Sequence, residues 1–572
     1  MSQAGFIVAY LSELVYNFFD GNKSLDRRQY YILRGKLHMK ITFIGADHEV
    51  TGSCHVINAC GKYILVDCGM EQGVDIYENH ELPGNIPDID YVLLTHAHID
   101  HSGMLPLLYA RGFRGEILAT SPTTDLCSIM LKDSAHIQMQ EAEWKNRKAK
   151  RAGKQQYTPI YDINDANNVL EHFVSCDYDK RFSLCPGIDI RFSDAGHLLG
   201  SASIELWITE GDITKKVVFS GDIGNLNRPL IRDPKYIDEA DYVIMESTYG
   251  DRFHEDKIDY IAELARITKE TFKRGGNVII PSFAVGRTQE ILYYYRHIKS
   301  EHMVEGYDDF KVYVDSPLAV EATAIFNKNK DICFDEDAME LVEKGINPIQ
   351  FPGLTLSITS DQSKAINFDP EPKVIISASG MCEAGRIRHH LKHNLWRSDA
   401  TIVFVGYQAA GTLGRALLEG TTEVKLFGED VEVEAQIVKL EGVSGHADKE
   451  GLISWVDHFK TPLEKVFVVH GEDEVCDSFS QCLRDEHGIN AIAPYTGSCY
   501  DLATGVCIRE GSKIKIVRPE NTVSRRPNDV FERLIAAGKR LSTVIRHNEG
   551  GANKDLAKFA DQINSLCDKW DR

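Results

Sequence analysis

Within Thr95-His96-Ala97-His98-Ile99-Asp100-His101, four side chains able to ligate a metal occur in six residues. Imidazole and carboxylate suit zinc, with bonds of about 2.0–2.2 Å. One ion cannot comfortably take all four from so tight a loop. His96 and His98 are therefore expected at one metal, and Asp100 and His101 at a second. A single histidine in such a loop is more often a hydrogen-bonded structural residue, but that reading fits four ligand types in six residues poorly. Three more candidates lie far along the chain. They are His197 in Asp194-Ala195-Gly196-His197-Leu198-Leu199-Gly200, Asp222 in Ser220-Gly221-Asp222, and His470 in Val468-Val469-His470-Gly471-Glu472. Each stands beside glycine at the end of an apolar run, where loops on a rigid scaffold carry functional groups. A pair of zinc ions would bring the pKa of bound water toward ~7, neutralise phosphate oxygens and stabilise the charge that develops during an in-line displacement.

Such groups need rigid supports. Residues 41–44, 63–66, 91–94, 217–220 and 242–245 are short runs, mostly apolar and rich in β-branched and aromatic residues, and these, with 188–193, read as strands. From Pro122 to about Lys150 the pattern is helical. Between Glu246 and about Leu426 the rhythm changes. Helical stretches at 258–273 and 287–298 alternate with buried strands at 277–281, 311–314, 374–377 and 401–405, which predicts a doubly wound sheet. Strands resume after about Val431, 464–469 being the clearest. From about Asn521 the chain is polar and helical in pattern.

The 572 residues exceed what one hydrophobic core supports, so several domains are expected. A 43% hydrophobic and 26% charged composition excludes disordered and collagen-like chains. The net charge of −21 excludes an overall basic footprint, so contact with nucleic acid requires a local groove. Thirteen cysteines without a CxxC pair point to a reducing compartment, read as the cytoplasm. No apolar run approaches the ~18 residues of a spanning helix, so no membrane association is expected. Residues 5–19 carry Glu13 and lack a cleavage site, which disfavours a signal peptide, and Met39 is a plausible alternative start.

In order along the chain, His96-x-His98-x-Asp100-His101, His197 and Asp222 resemble the metallo-β-lactamase superfamily. Asp67 in Leu65-Val66-Asp67-Cys68-Gly69 matches that family's first, structural aspartate. Glu246 in Met245-Glu246-Ser247-Thr248-Tyr249-Gly250, His446 in Ser444-Gly445-His446-Ala447-Asp448, and His470 resemble the three extra motifs of the β-CASP branch, which processes nucleic acids. The resemblance implies an α/β fold, a metallo-β-lactamase αββα sandwich with an inserted β-CASP α/β domain. The expected divisions are an extension at 1–38, the first lactamase part at 39–245, the insertion at 246–426, the second lactamase part at 427–520, and a tail at 521–572. It also implies two Zn2+ per chain, one held by His96, His98 and His197, the other by Asp100, His101 and His470, with Asp222 bridging. The nucleophile implied is a hydroxide between the metals. His446, held by Glu246, is the implied general acid.

A histidine at the position of His470 resembles the RNA-acting members, so single-stranded RNA is the expected substrate. A DNA nuclease and a non-catalytic RNA-processing scaffold are the alternatives. Ser377-Ala378-Ser379-Gly380, Gly286-Arg287-Thr288 and Gly411-Thr412 stand where strands lead into helices, so Arg287, Ser379 and Thr412 are candidate phosphate contacts. Ordinary strand–helix turns explain them equally well. Residues 145–154 hold six basic residues in ten, which reads first as a solvated helix end. A homodimer or RNA-processing partners are expected, if anywhere, through the C-terminal region.

Overall fold

The computed structural model describes residues 39–72, 82, 86–151, 156–254, 258–409, 411–440, 444–514, 538, 541, 544–545 and 553–570. The expected extension at 1–38 lies outside them. The chain divides into two compact units, residues 1–515 and 516–572. In the second, the described structure is chiefly the helix Asn553–Trp570, where a polar helical tail is expected. Among the described residues no helix is long and apolar enough to cross a membrane.

The first unit is built on three large sheets. In spatial order, the first runs Cys507–Arg509, Cys499–Asp501, Lys40–Gly45, Cys54–Ala59, Lys62–Val66, Tyr91–Leu93, Glu116–Thr120 and Phe173–Cys176. The second runs Ala491–Ile492, Lys465–Val469, Tyr242–Glu246, Ile213–Phe219, Ala202–Glu210, Ile188–Asp194 and Phe182–Cys185. Side chains alternate across a strand. Ile188, Ile190 and Phe192, with Ile204, Leu206 and Ile208 on the neighbouring strand, therefore share one core with Ile41, Phe43, Ile57 and Ile64 of the first sheet. On Tyr242–Glu246, Tyr242 and Ile244 face that core. Val243 and Met245 face the helices Lys449–Asp457 and Asp473–Asp485 instead. Helices Leu105–Ala110, Ser121–Arg151 and Ile163–Val169 cover the other face of the first sheet. This is the expected αββα sandwich.

The third sheet is the expected insertion. Its six strands are all parallel, in the order Leu354–Ser357, Lys311–Asp315, Lys373–Ser377, Val278–Pro281, Thr401–Phe404 and Gln436–Lys439. The last strand lies beyond the boundary expected at residue 426. It pairs with Thr401–Phe404 (Thr401↔Gln436 through Phe404↔Lys439), so the insertion's sheet closes later than the composition suggests. Most expected elements begin and end within about three residues of the observed ones. The helix after strand Lys373–Ser377 begins at Ile387. Gly385, at φ +80°, turns the chain first, and its position against Ala378 leaves no room for a Cβ.

Candidate metal centre

The ligand candidates sit at strand ends because alternating strands fill the core and leave polar residues for the connections. Asp67 ends Lys62–Val66, the His96 cluster follows Tyr91–Leu93, and His197 follows Ile188–Asp194. Asp222 follows Ile213–Phe219, and His470 ends Lys465–Val469. The two sheets carry these ends to one edge of the sandwich. There the ring atoms His96 Nε2 and His98 Nδ1 stand 3.1 Å apart, and His197 Nε2 is 3.2 Å from His98 Nδ1. Asp222 Oδ2 lies 3.3 Å from His96 Nε2 and 3.4 Å from His197 Nε2. A second group adjoins it. His101 Nε2 and His470 Nε2 are 3.1 Å apart, Asp222 Oδ1 is 3.2 Å from His101 Nε2, and Asp100 Oδ2 is 3.8 Å from His470 Nε2. Asp222 thus turns one oxygen to each group.

These residues fit zinc. Donors on a tetrahedral ion at about 2.0–2.1 Å stand about 3.3–3.4 Å apart, close to the separations found. The outer ring nitrogens of four of these histidines are occupied. His101 Nδ1 donates to Asp67 Oδ2 at 2.7 Å, His197 Nδ1 donates to the Gly445 carbonyl at 3.2 Å, and His96 and His470 Nδ1 meet Thr95 and Thr248 Oγ1 at 3.1 Å. Such outer bonds fix the tautomer and aim the inner lone pair. Inner lone pairs about 3 Å apart repel one another unless a cation lies between them. Asp222 Oδ1 is buried with no hydrogen bond of its own, as a ligand oxygen would be.

The electrostatics agree. Burial and the neighbouring imidazoles depress His98 to about 3, and burial is likewise the main cause lowering His96 and His197, so all three are neutral at pH 7. Burial opposes a charge on His101 as well, but Asp222 and Asp67 outweigh it and raise its pKa well above the usual value. A divalent cation would take that proton's place.

Beside the first group lies His446, its ring 4.4 Å from that of His197. Its Nδ1 sits 3.2 Å from each oxygen of the Glu246 carboxylate. Glu246 is buried at the end of Tyr242–Glu246 and accepts the Ile223 N–H at 2.6 Å. Burial alone would lower the His446 pKa, but Glu246, helped by Asp222 and Asp100, outweighs it and raises it to about 9. The side chain keeps 21% of its surface exposed.

The three phosphate candidates stand around the carboxyl edge of the third sheet. The Arg287 guanidinium pairs with Glu290. Ser379 Oγ accepts the Ala384 N–H at 3.3 Å, within a turn rather than at a helix start. Thr412 caps the short helix Leu413–Leu418. The basic run 145–151 is the exposed end of helix Ser121–Arg151.

Three contributors escaped the sequence reading. Thr95 and Thr248 adjoin motifs already singled out, and adjacency is the signal that could have found them. Arg228, in an ordinary loop, has none. Its Nη1 donates to the carbonyls of His197 at 2.6 Å and Gly445 at 3.0 Å, and its Nη2 donates to Glu290 of helix Arg287–Ser300 at 2.5 Å. It ties the loop of one ligand candidate and the loop of His446 to the inserted domain.

Family models match three stretches of the chain. Residues 56–225 match a metallo-beta-lactamase superfamily domain, residues 288–417 a Beta-Casp domain, and residues 430–494 a Zn-dependent metallo-hydrolase RNA specificity domain. Ribonuclease TTHA0252 of Thermus thermophilus is 37% identical over 438 residues, covering 76% of this chain and 94% of that protein. Transcription termination factor FttA of Methanocaldococcus jannaschii is 32% identical over 465 residues, covering 79% and 70%. Its namesake from Thermococcus kodakarensis is 30% identical over 475 residues, covering 80% and 70%. With that similarity running through both the sandwich and its insertion, the chain belongs to the β-CASP branch of the metallo-β-lactamase superfamily and is a metallo-β-lactamase-fold hydrolase.

Proposed function

We propose that this protein is a zinc-dependent ribonuclease that hydrolyses phosphodiester bonds of single-stranded RNA at a two-metal centre. One zinc would be held by His96, His98 and His197, the other by Asp100, His101 and His470, with Asp222 shared. The observation that carries the reading is the pair of adjoining donor groups divided by the two oxygens of Asp222, with the Glu246–His446 pair at their side. When bound, the metals would supply an acidified water and neutralise phosphate charge.

The chain's own residues would do the rest. Asp67, Thr95, Thr248 and the Gly445 carbonyl aim the ligand imidazoles. Glu246 orients His446 and favours its protonated form. The outer face of that imidazolium would deliver a proton to the departing ribose oxygen as the P–O bond breaks. RNA as substrate is supported by the match to an RNA specificity domain and by the name of the Thermus relative.

The test pairs zinc quantification on purified protein with cleavage of a labelled single-stranded RNA and the matching DNA. About two zincs per chain, RNA cut in preference to DNA, and a slow His446→Ala variant are expected. DNA cut in preference would redirect the reading to a DNA nuclease. Bound zinc with neither polymer cut would overturn it in favour of a scaffold.

A further inference from the structure

Two aromatic rings stand at the carboxyl edge of the inserted sheet, where open parallel sheets gather ligands. Phe283 lies two residues beyond strand Val278–Pro281, and Tyr407 three beyond its hydrogen-bonded neighbour Thr401–Phe404. Rings this large are normally buried, as Phe404 and Tyr313 of the same sheet are. Phe283 and Tyr407 are instead 50% and 55% exposed.

Both flank Gly380. A Cβ built on Gly380 would already sit 3.4 Å from the Phe283 ring, and Gln408, next to Tyr407, donates from Nε2 to the Gly380 carbonyl at 3.1 Å. The Phe283 loop also meets a neighbour of the metal centre. In the Phe283 loop, Gly286 packs against Leu198, the neighbour of His197. On the other side, the Tyr249 ring meets His446 edge-on at 6.1 Å, and burial, with a smaller electrostatic contribution from Tyr407, raises the Tyr249 phenol above its ordinary pKa.

Three cations near this edge have carboxylate partners. Arg287 pairs with Glu290, Arg386 with Asp315 at 2.8 Å, and Arg415 with Glu419 at 2.7 Å, whereas Arg388 donates to the Glu383 carbonyl at 3.0 Å. A strand entering here meets aromatic faces as well as charge. We propose that Phe283 and Tyr407 form a stacking subsite for unpaired nucleobases flanking the scissile bond, an inference that rests on the ribonuclease reading above. Such a subsite selects single strands, because bases in a duplex are already stacked. It is tolerant of sequence, because every base has a π-face.

The experiment uses the zinc-loaded full chain and short single-stranded RNAs in which one abasic nucleotide is scanned across the cut. For the wild type, an abasic nucleotide at one or two positions beside the cut should raise KM about ten-fold. Phe283→Leu and Tyr407→Leu should raise KM for intact RNA by a similar factor and lose the sensitivity to the abasic site. Phe283→Tyr and Tyr407→Phe should retain it. A second readout needs no turnover. In a His446→Ala background, RNA carrying 2-aminopurine at the sensitive position should lose fluorescence on binding, and the leucine variants should abolish that quenching.

A wild type indifferent to abasic nucleotides at every position overturns the subsite while leaving the ribonuclease reading intact, and it does so whether or not a variant folds. Tyrosine and phenylalanine variants that behave like the leucine ones would also overturn it. A wild type that neither binds nor cuts RNA would overturn both.

Discussion

Asp67 illustrates how a residue that touches no substrate would govern the proposed metal site. Its two oxygens take the Thr95 N–H at 2.8 Å and the His101 Nδ1–H at 2.7 Å, which leaves His101 Nε2 facing inward. Asp67→Ala should therefore weaken metal binding about 10–100-fold, as loss of an orienting partner typically does. Chelator competition would measure this, and unchanged affinity would remove Asp67 from the assignment. His446 makes the opposite case. It lies outside both donor groups, so His446→Ala should keep its zinc while kcat falls about 10²–10⁴-fold. Metal analysis of the same preparation used for the rate separates these effects. Both residues were picked out in the sequence through the family resemblance of the short motifs that hold them. Arg228 was not. Its importance comes from what three separate segments place around it, and no local pattern encodes that.

Between elements, Arg228 is the main polar tie described here. A planar guanidinium can serve two carbonyls and a carboxylate together, whereas a lysine ammonium lacks that fixed fork. Arg228→Lys should thus restore little of what Arg228→Ala loses. For Arg228→Ala we expect kcat lower by about ten-fold or more and stability lower by about 2 kcal/mol, since Glu290 is left buried with Arg287 as its remaining partner. Steady-state rates and urea unfolding would check this. Equal behaviour of Arg228→Ala and wild type would show that the loops hold themselves.

A second inter-element tie lies inside the inserted sheet. Asp315, fully buried, accepts from Arg386 at 2.8 Å, His390 Nε2 at 2.7 Å and Ser363 Oγ at 2.5 Å. Burial works against its ionisation, yet the His390 and Ser363 hydrogen bonds and the His390 charge outweigh it and hold its pKa below the usual carboxylate range. A depressed carboxylate stabilises the fold above its unfolded pKa of about 3.9 and loses that contribution as pH falls toward the folded value. Unfolding free energy should decline below about pH 4, and Asp315→Asn should flatten that limb while costing about 3 kcal/mol at neutral pH. Denaturant titrations at several pH values give both quantities. The element pattern itself was largely readable, because strands buried on both faces are continuous apolar runs. The strand Gln436–Lys439 was not assigned to its sheet, because its edge position leaves it half-exposed and without that signature.

At the scale of the whole first unit, the proposed metals would join loops drawn from both sheets of the sandwich. Removing them should leave inward-facing imidazoles repelling one another and lower the melting temperature. Ligand at 1,000 times its dissociation constant stabilises by about 4 kcal/mol, so a chelated sample should melt several degrees lower and recover when zinc is restored. Calorimetry would check it, and identical melting curves would refute metal-linked stability. Taken alone, the sequence determined the ligand types, their order, the family motifs and the alternation of strands and helices. Those properties reside in side-chain chemistry and short-range periodicity. Only the tertiary structure decided that Arg228 links three segments and that Phe283 and Gln408, the neighbour of Tyr407, both meet Gly380. Such relations join residues up to hundreds of positions apart, and packing of the sheets, rather than any local pattern, brings them within a few ångströms.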